Sequence, residues 1–183
     1  MPYSYLTKHH LYDFDQLMAH LGVRPGHQVL DLGCGHHGFW TFPMAQTVGR
    51  TGEVHAIDIC PAAVKNIKRK SAELRLKHVN PVWADLEKLK NADLPKSDIA
   101  LLVNTLYQIK KKPTFLSAIS SLLKPQGKLL IVDWKVNSNS YGPPSDQRIT
   151  EEDMKKWTKR AKLDTLKELY LDDDHFAKVL LKI

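Results

Sequence analysis

Three glycines stand close together where chemistry is most strongly indicated. Gly33, Gly35 and Gly38 follow residues 28–32, which have the pattern of a buried strand, and precede a predicted helix. A glycine turn between a strand and a helix lets backbone amides approach a ligand closely, because no Cβ intervenes. The turn therefore predicts a nucleotide-binding site. Its spacing also fits the dinucleotide fingerprint, so on this motif alone a nicotinamide or flavin cofactor stays open.

Three acidic residues stand at the ends of predicted strands. Asp31, two residues before Gly33, would crowd a pyrophosphate but would suit a ligand that carries ammonium and sulfonium charges. Asp58 ends the second strand, where a carboxylate can accept both hydroxyls of a ribose, as both cofactor classes require. Asp85 follows the third strand and could accept a hydrogen bond from an adenine amino group. The acids thus favour a nucleoside with a cationic group.

The elements that must position these residues alternate between strands and helices, which predicts an α/β fold with a doubly wound sheet. The predicted strands are residues 28–32, 53–59, 82–84, 99–103, 128–133, 166–171 and 176–183. Helices are predicted over residues 13–21 and 39–47, from Pro61, from Pro113, and after Thr150 as N-cap. Only a short acidic turn separates the last two strands, so they must be antiparallel neighbours.

Length and composition limit the class of protein. The chain has 183 residues, of which 43% are hydrophobic and 26% charged, so a single domain over residues 1–183 is expected. No apolar run approaches the roughly 18 residues of a membrane span. The first ten residues lack a basic head and apolar block, so a cytoplasmic protein is expected. Cys34 and Cys60 form no CxxC pair, and neither a disulfide framework nor a metal site is expected.

Positive charge leaves a second partner class open. The chain has 27 Lys and Arg against 20 Asp and Glu, a formal net charge of +7. Much of the excess falls in residues 65–77 and 155–162, two predicted helices. A solvated helix face is the simplest interpretation of such lysines, and a nucleic-acid surface is the alternative.

The glycine turn, read as residues 29–38, resembles the first motif of the class I S-adenosylmethionine-dependent methyltransferases. Three further segments follow in the family's order: residues 54–64 (VHAIDICPAAV), 82–86 and 122–133 (LLKPQGKLLIVD). The similarity is closest to the ubiquinone and menaquinone biosynthesis methyltransferases. It implies S-adenosylmethionine as cofactor and a Rossmann-like, mostly parallel sheet in the order 3-2-1-4-5-7-6, with an antiparallel C-terminal strand.

The resemblance also assigns residues to the cofactor: Asp31, Gly33, Gly35, Asp58, Ile59, Asp85, Leu86 and Asn104. Asp31 and the two glycines would hold the methionine end, and Asp58 the ribose. Ile59, Asp85 and Leu86 would surround the adenine, and Asn104 would face the methyl group. The family usually has glycine where this chain has His37.

The acceptor is expected to be a small molecule, methylated by in-line transfer. Tyr107 would face the acceptor pocket, and Arg148 could hold an anionic or carbonyl-bearing group, since the related subgroup has a similar Gly-Pro-Pro loop ending in Arg-Ile. The acceptor lid is expected from residues 135–149, with residues 1–27 as an N-terminal helix and flap that includes Tyr3, Tyr5 and Leu6.

Alternatives remain at this point. An RNA or other nucleic-acid methyltransferase would use the basic surface. However, the Asp/Asn-Pro-Pro-Tyr/Phe/Trp tetrad that is common in base-amine methylases does not follow the fourth strand, where residues 104–107 read NTLY. A dinucleotide-dependent oxidoreductase is the second alternative. The catalytic base stays unassigned: it could be Tyr107 or His36, or the reaction could need no base. The expected oligomeric state is monomer or homodimer.

Overall fold

The computed structural model describes residues 14–137 and 142–183, and in them seven strands form one mixed sheet. The strands are β1 Gln28–Leu32, β2 Glu53–Asp58, β3 Val79–Trp83, β4 Ser97–Val103, β5 Leu123–Trp134, β6 Leu163–Tyr170 and β7 His175–Lys182. The α-helices are α1 Phe14–Leu21, α2 Thr41–Val48, α3 Pro61–Glu73, α4 Lys112–Leu122 and α5 Glu151–Arg160. None of these helices is long and apolar enough to cross a membrane. The predicted flap residues Tyr3, Tyr5 and Leu6 lie outside the described residues.

The strand order is β3-β2-β1-β4-β5-β7-β6, which confirms the predicted fold class. Strands β1 to β5 run parallel, and β7 is antiparallel to both β5 and β6. Because β1 pairs with both β2 and β4, the direction of winding reverses at β1. Open parallel sheets bind ligands outside the carboxyl ends of their strands at such a reversal.

The core lies on both faces of the sheet, as expected for strands that helices cover on two sides. Neighbouring residues of β1 show the division. Val29 packs in a cluster with Leu17, Phe42 and Ile67 from α1, α2 and α3. Leu30, on the other face, packs in a cluster that contains Phe115 and Met154 of α4 and α5. The buried faces hold the carboxyl ends of β1, β2 and β4 in fixed positions.

The predicted start of β3 is wrong, and so is that of β5. β3 begins at Val79 instead of residue 82, and Pro81 lies within it. This strand is at the edge of the sheet and pairs only with β2, so the missing proline N–H costs little there.

β5 begins at Leu123, within the segment predicted to be a helix end and turn. Leu123 pairs with Ser97, and pairing resumes at Lys128 with Ile99. The residues between form an irregularity in which Gln126 has a φ of 62°. Pro125 and Gly127, which predicted a turn, thus lie within a strand and form part of a bulge.

The remaining differences are shifts of element ends. α2 begins at Thr41 instead of residue 39, and β2 ends at Asp58 instead of residue 59. β4, β6 and β7 begin at Ser97, Leu163 and His175 instead of residues 99, 166 and 176. The predicted cap of α5 is confirmed, because the Thr150 hydroxyl accepts a hydrogen bond from the Asp153 amide at 3.1 Å.

Candidate functional site

The glycine turn after β1 is attached to the end of β2. The amides of Gly33 and Cys34 donate to the Ile57 carbonyl oxygen at 2.8 and 3.0 Å. The Gly35 amide donates to Asp58 Oδ2 at 2.8 Å. Two sequence-predicted site residues, Gly35 and Asp58, are therefore in direct contact across the carboxyl edge of the sheet.

The three glycines of the turn serve different purposes. A Cβ on Gly33 would lie 2.5 Å from Thr105 Oγ1, and one on Gly38 would lie 2.6 Å from Ile67 Cδ1. A Cβ on Gly35, where φ is +67°, would meet no atom of the described residues within 4 Å. Packing therefore excludes side chains at Gly33 and Gly38, whereas Gly35 borders open space. That space is a cradle that a ligand could fill and a side chain would block.

Asp31 is a buried carboxylate at the end of β1. It is 3% exposed, and its Oδ2 accepts a hydrogen bond from Thr41 Oγ1 at 2.5 Å. Burial raises the pKa of Asp31 to about 6, and the nearby negative charge of Asp58 contributes to the rise. Among the described residues, no cationic side chain forms a salt bridge with it. A buried carboxylate without a cation is costly, so this site fits a positively charged ligand group.

Asp58, at the end of β2, holds two backbone segments. Its Oδ2 accepts from the Gly35 amide, and its Oδ1 accepts from the Cys60 amide at 2.9 Å. An ionised carboxylate has about four acceptor positions, so half-buried Asp58 keeps capacity for hydroxyl donors. The residue thus supports the turn and can still bind a ribose.

The two cysteines flank this part of the site in different environments. Cys34 is buried under the glycine turn, and burial raises the pKa of its thiol well above the ordinary range, with the charges of Asp31 and Asp58 adding to the effect. Cys60 is exposed. It follows Asp58 by two residues, and its backbone amide donates to the Asp58 carboxylate.

Apolar side chains stand at the carboxyl ends of β2 and β3, where adenine contacts were predicted. Ile59 is 59% exposed, and Trp83 is 67% exposed with its Nε1 donating to the Ile59 carbonyl oxygen at 2.8 Å. Asp85 accepts from the Glu87 amide at 2.9 Å and caps a short 3-10 helix, in which Leu86 is buried. Sequence reasoning did not include Trp83. The available signal was an aromatic residue within the predicted third strand, and in the sheet this residue pairs with Asp58.

Asn104 and Tyr107 follow β4 and are attached to β5. Asn104 has a φ of 49°, and its amide donates to the Val132 carbonyl oxygen at 2.8 Å. The Tyr107 amide donates to Asp133 Oδ2 at 3.0 Å. These bonds fix the turn that follows β4 beside the end of β5.

Asp133 is a second buried carboxylate, which sequence reasoning did not propose for the site. Its Oδ1 accepts from the Trp134 amide at 2.9 Å, and burial raises its pKa to about 6. The signal was an acidic residue directly after the apolar run of residues 129–132, comparable to Asp31 near the end of β1. Asp133 positions Tyr107 through the backbone.

Arg148 connects the loop before α5 to the end of β5. Its Nε donates to the Pro143 carbonyl oxygen at 2.9 Å, and its guanidinium donates to the Lys135 carbonyl oxygen at 3.4 Å. The guanidinium lies 6.0 Å from the ring centroid of Trp134. Tyr107 and Arg148, the two predicted acceptor residues, are therefore both attached to residues 133–135.

The two histidines of the turn are exposed. The His36 carbonyl oxygen accepts from Asn66 Nδ2 at 2.7 Å, and the His37 ring lies 5.3 Å from that of Phe39. Over residues 14–137 and 142–183, no group of three or more His, Cys, Asp or Glu side chains is arranged to hold a metal ion.

The fold is that of a class I S-adenosylmethionine-dependent methyltransferase. A family model described as a methyltransferase domain matches residues 24–175, and the chain belongs to this family. The resemblance read from the sequence is thereby confirmed, and with it S-adenosylmethionine as the cofactor of the class. The match favours this cofactor over the dinucleotide that the glycine spacing had left open.

Relatives include two curated quinone-pathway enzymes. The chain is 34% identical over 119 residues to the ubiquinone/menaquinone biosynthesis C-methyltransferase UbiE of Ectopseudomonas mendocina, covering 64% of this chain and 46% of the relative. It is 30% identical over 122 residues to the demethylmenaquinone methyltransferase of Staphylococcus aureus (strain MRSA252), covering 64% and 47%. The chain thus spans about half the length of these relatives. Among solved structures, an S-adenosylmethionine-dependent methyltransferase from Aquifex aeolicus shares the fold, with a TM-score of 0.83, 23% identity and full coverage of both chains.

Replacing Asp58 with alanine is expected to weaken S-adenosylmethionine binding by about 10- to 100-fold, the loss of charge-assisted hydrogen bonds worth roughly 1.5 to 3 kcal/mol. The free energy of unfolding should fall as well, because the Gly35 and Cys60 amides lose their acceptor. Calorimetry and denaturant titration measure the two effects.

Asp98→Ala is the matched control for Asp58→Ala. Asp98 also accepts a backbone amide, that of Gln28 at 2.8 Å, but lies at the opposite end of the sheet. It should lower stability and leave cofactor affinity unchanged. Equal affinity losses in the two variants would remove Asp58 from the site.

Proposed function

We propose that this chain transfers a methyl group from S-adenosylmethionine to a small-molecule acceptor bound beside the end of β5. The family match supports methyl transfer from S-adenosylmethionine, and the quinone methyltransferase relatives support a small-molecule acceptor. The observation that carries the location is the shared attachment of Tyr107 and Arg148 to residues 133–135. An aromatic ring and a guanidinium there would suit an acceptor that is planar and carries carbonyl or anionic oxygens.

The cofactor-binding role falls to residues at the ends of β1, β2 and β4. When bound, S-adenosylmethionine supplies a methyl group on a sulfonium, which is electrophilic without further activation. Asp31 offers a negative charge that forms no salt bridge with a cationic side chain of residues 14–137 or 142–183, and the open side of Gly35 would admit the ligand. Asp58 would accept the ribose hydroxyls, with Ile59, Asp85 and Leu86 near the adenine and Asn104 near the methyl group.

The contribution of the chain to the reaction is alignment of the two reactants. Asp133 holds the Tyr107 segment against β5, and Arg148 holds the loop of residues 142–149 against the same strand. Holding two reactants in the correct orientation can contribute roughly 7 to 11 kcal/mol to lowering a barrier. A base is needed only for an acceptor atom that keeps its proton, so we assign none.

Replacing Arg148 with alanine should lower turnover about tenfold or more while cofactor affinity stays within about twofold, because the guanidinium would contact the acceptor and not the cofactor. Calorimetry with S-adenosylmethionine and a methyl-transfer assay give the two numbers. Arg160→Ala, an exposed arginine at the end of α5, is the matched control and should change neither. Equal losses of cofactor affinity and turnover in Arg148→Ala would contradict the acceptor assignment.

The acceptor class is tested by incubating the chain with methyl-labelled cofactor and a cell extract separated into organic-soluble, RNA and protein fractions. Label is expected in the organic-soluble fraction, and the wild-type chain should transfer more of it than the Asp31→Asn variant. Label that appears in RNA instead would establish the nucleic-acid alternative. Calorimetry with S-adenosylmethionine and NAD side by side tests the cofactor directly.

A further inference from the structure

A second concave site lies at the opposite edge of the sheet. A cavity of about 580 Å³ opens at the amino ends of β1 and β2, lined by Gln28, Arg50, Thr51, Gly52, Glu53, Arg75, Lys77 and His78. Gln28 and Glu53 are the first residues of their strands and pair with each other. None of these residues belongs to the carboxyl-edge site. The cavity has the volume of a small-molecule site, which is commonly about 300 to 1,000 Å³.

The lining comes from two helix-to-strand connections that are both basic. Arg50 and Thr51 lie in the short turn between α2 and β2, and Arg75 and Lys77 lie between α3 and β3. Their side chains are exposed, and among the described residues none of the three cationic groups forms a salt bridge. The single carboxylate of the lining, Glu53, pairs with His55 at 3.2 Å. The cavity therefore carries excess positive charge.

Polar groups of the lining add a second indication. Gln28 Oε1 is buried and has no hydrogen-bond partner among the described residues. Buried polar atoms normally have a partner, which can be protein, water or ligand. His78 is held in place by a hydrogen bond from its Nε2 to the Ala45 carbonyl oxygen at 2.7 Å. The lining thus combines uncharged Gln28 and the hydrogen-bonded His78 with three cationic side chains that form no salt bridge among the described residues.

The backbone at Arg75 is consistent with a retained functional position. Arg75 has a φ of 56°, a left-handed conformation that costs a residue with a side chain roughly 1 to 2 kcal/mol. Glycine would avoid this cost at the end of α3. Arg75 forms no salt bridge with an acidic side chain of the described residues, and residues with strained backbones are frequent at ligand sites.

We propose that this cavity binds a small phosphorylated molecule through its phosphate or diphosphate. Three cations against one carboxylate favour a ligand with more than one negative charge, and arginine forks match phosphate oxygens. Thr51 and Gln28 would bind the neutral part of the ligand near the phosphate. A small ligand fits better than a long polyanion, because the cavity is concave and Glu53 would repel a strand of phosphates that crossed its rim.

The test is calorimetry on the full chain saturated with S-adenosylhomocysteine, so that adenine compounds cannot enter the carboxyl-edge site. Pyrophosphate and ADP are the probes. Both should bind, and the Arg50→Gln, Arg75→Gly double variant should bind them about tenfold or more weakly. Arg75→Gly keeps the left-handed backbone and relieves its strain, so the variant is expected to fold.

Arg69→Ala is the control, since Arg69 is an exposed arginine of α3 paired with Glu73 and outside the cavity. It should change probe affinity by no more than about twofold. An equal loss in Arg69→Ala would mean a diffuse charge effect and would overturn the proposal. So would failure of both probes to bind at millimolar concentration, or an RNA oligonucleotide that binds and is not displaced by pyrophosphate.

This test is independent of the proposed methyl transfer. The two sites lie at opposite ends of the parallel strands, so S-adenosylmethionine affinity should be the same in the double variant and the wild type. Loss of probe binding with intact cofactor binding supports the amino-edge site. A chain that binds the probes but no S-adenosylmethionine would overturn the proposed function and leave this site standing.

Discussion

Replacing Gly35 with alanine is expected to lower S-adenosylmethionine affinity by about 10- to 100-fold while the chain remains folded. A Cβ on Gly35 has no neighbour within 4 Å in the part of the chain that the structure describes, so it would occupy the open cradle of the turn. The stability cost should be limited to the strain of a side chain at positive φ, roughly 1 to 2 kcal/mol. Calorimetry and chemical denaturation measure the two quantities.

Gly49→Ala separates ligand exclusion from backbone strain. Gly49 has a φ of +63°, and a Cβ there also meets no described atom within 4 Å, but it follows α2 at the opposite edge of the sheet. Gly49→Ala should lose at least as much stability as Gly35→Ala, because the ψ of −170° at Gly49 belongs to a region almost confined to glycine. Only Gly35→Ala should lose cofactor affinity. Wild-type affinity in Gly35→Ala would show that the ligand does not use this cradle.

Asp31→Asn is expected to stabilise the folded chain at neutral pH and to weaken cofactor binding. The pKa of Asp31 rises from 3.8 to about 6 on folding, so the folded state favours the protonated form. The wild-type free energy of unfolding should therefore fall as pH rises from about 4 to about 6, by on the order of 3 kcal/mol for this group, and then level off. In Asp31→Asn only the similar contribution of Asp133 should remain.

Cofactor binding should show the opposite dependence on pH. Below about pH 6 the wild-type carboxylate becomes protonated and loses its attraction for a cationic ligand, so affinity falls. Asp31→Asn should bind weakly at pH 8 and show little further loss on acidification. Calorimetry near pH 6, in buffers with different ionisation enthalpies, should detect proton release on binding to the wild type only. Full affinity in Asp31→Asn would contradict a role for this charge.

The fold was largely predictable because its strands carry strong local signals. The apolar runs of β4 and β5 and the closing pair β6 and β7 identify a parallel sheet with an antiparallel end. β3 was the exception, since Asn80 and Pro81 have low strand propensity and lie in a strand only because the edge of β2 is available. The start of β5 was missed because Pro125 and Gly127 signal a turn, which here forms a bulge.

The site was predictable only in part. Asp31, Gly35 and Asp58 stand at strand ends, which sequence patterns can locate. The contacts between them depend on residues far apart in the chain, such as the approach of Thr105 to Gly33 and of Asp58 to Gly35. Local patterns carry no information on such approaches. For the same reason the Arg148 bonds to Pro143 and Lys135 had no sequence signal.

Because Cys34 is buried and Cys60 is exposed, a thiol-reactive reagent should label the chain at Cys60 alone. Thiolates react with maleimides and iodoacetamide, and the buried Cys34, whose pKa is strongly raised, should react slowly if at all. Cys60 is exposed and hydrogen-bonded through its amide to Asp58 Oδ1. A fluorophore attached without any engineered cysteine would therefore sit at the rim of the proposed ribose position, where its emission could follow ligand entry and release in real time.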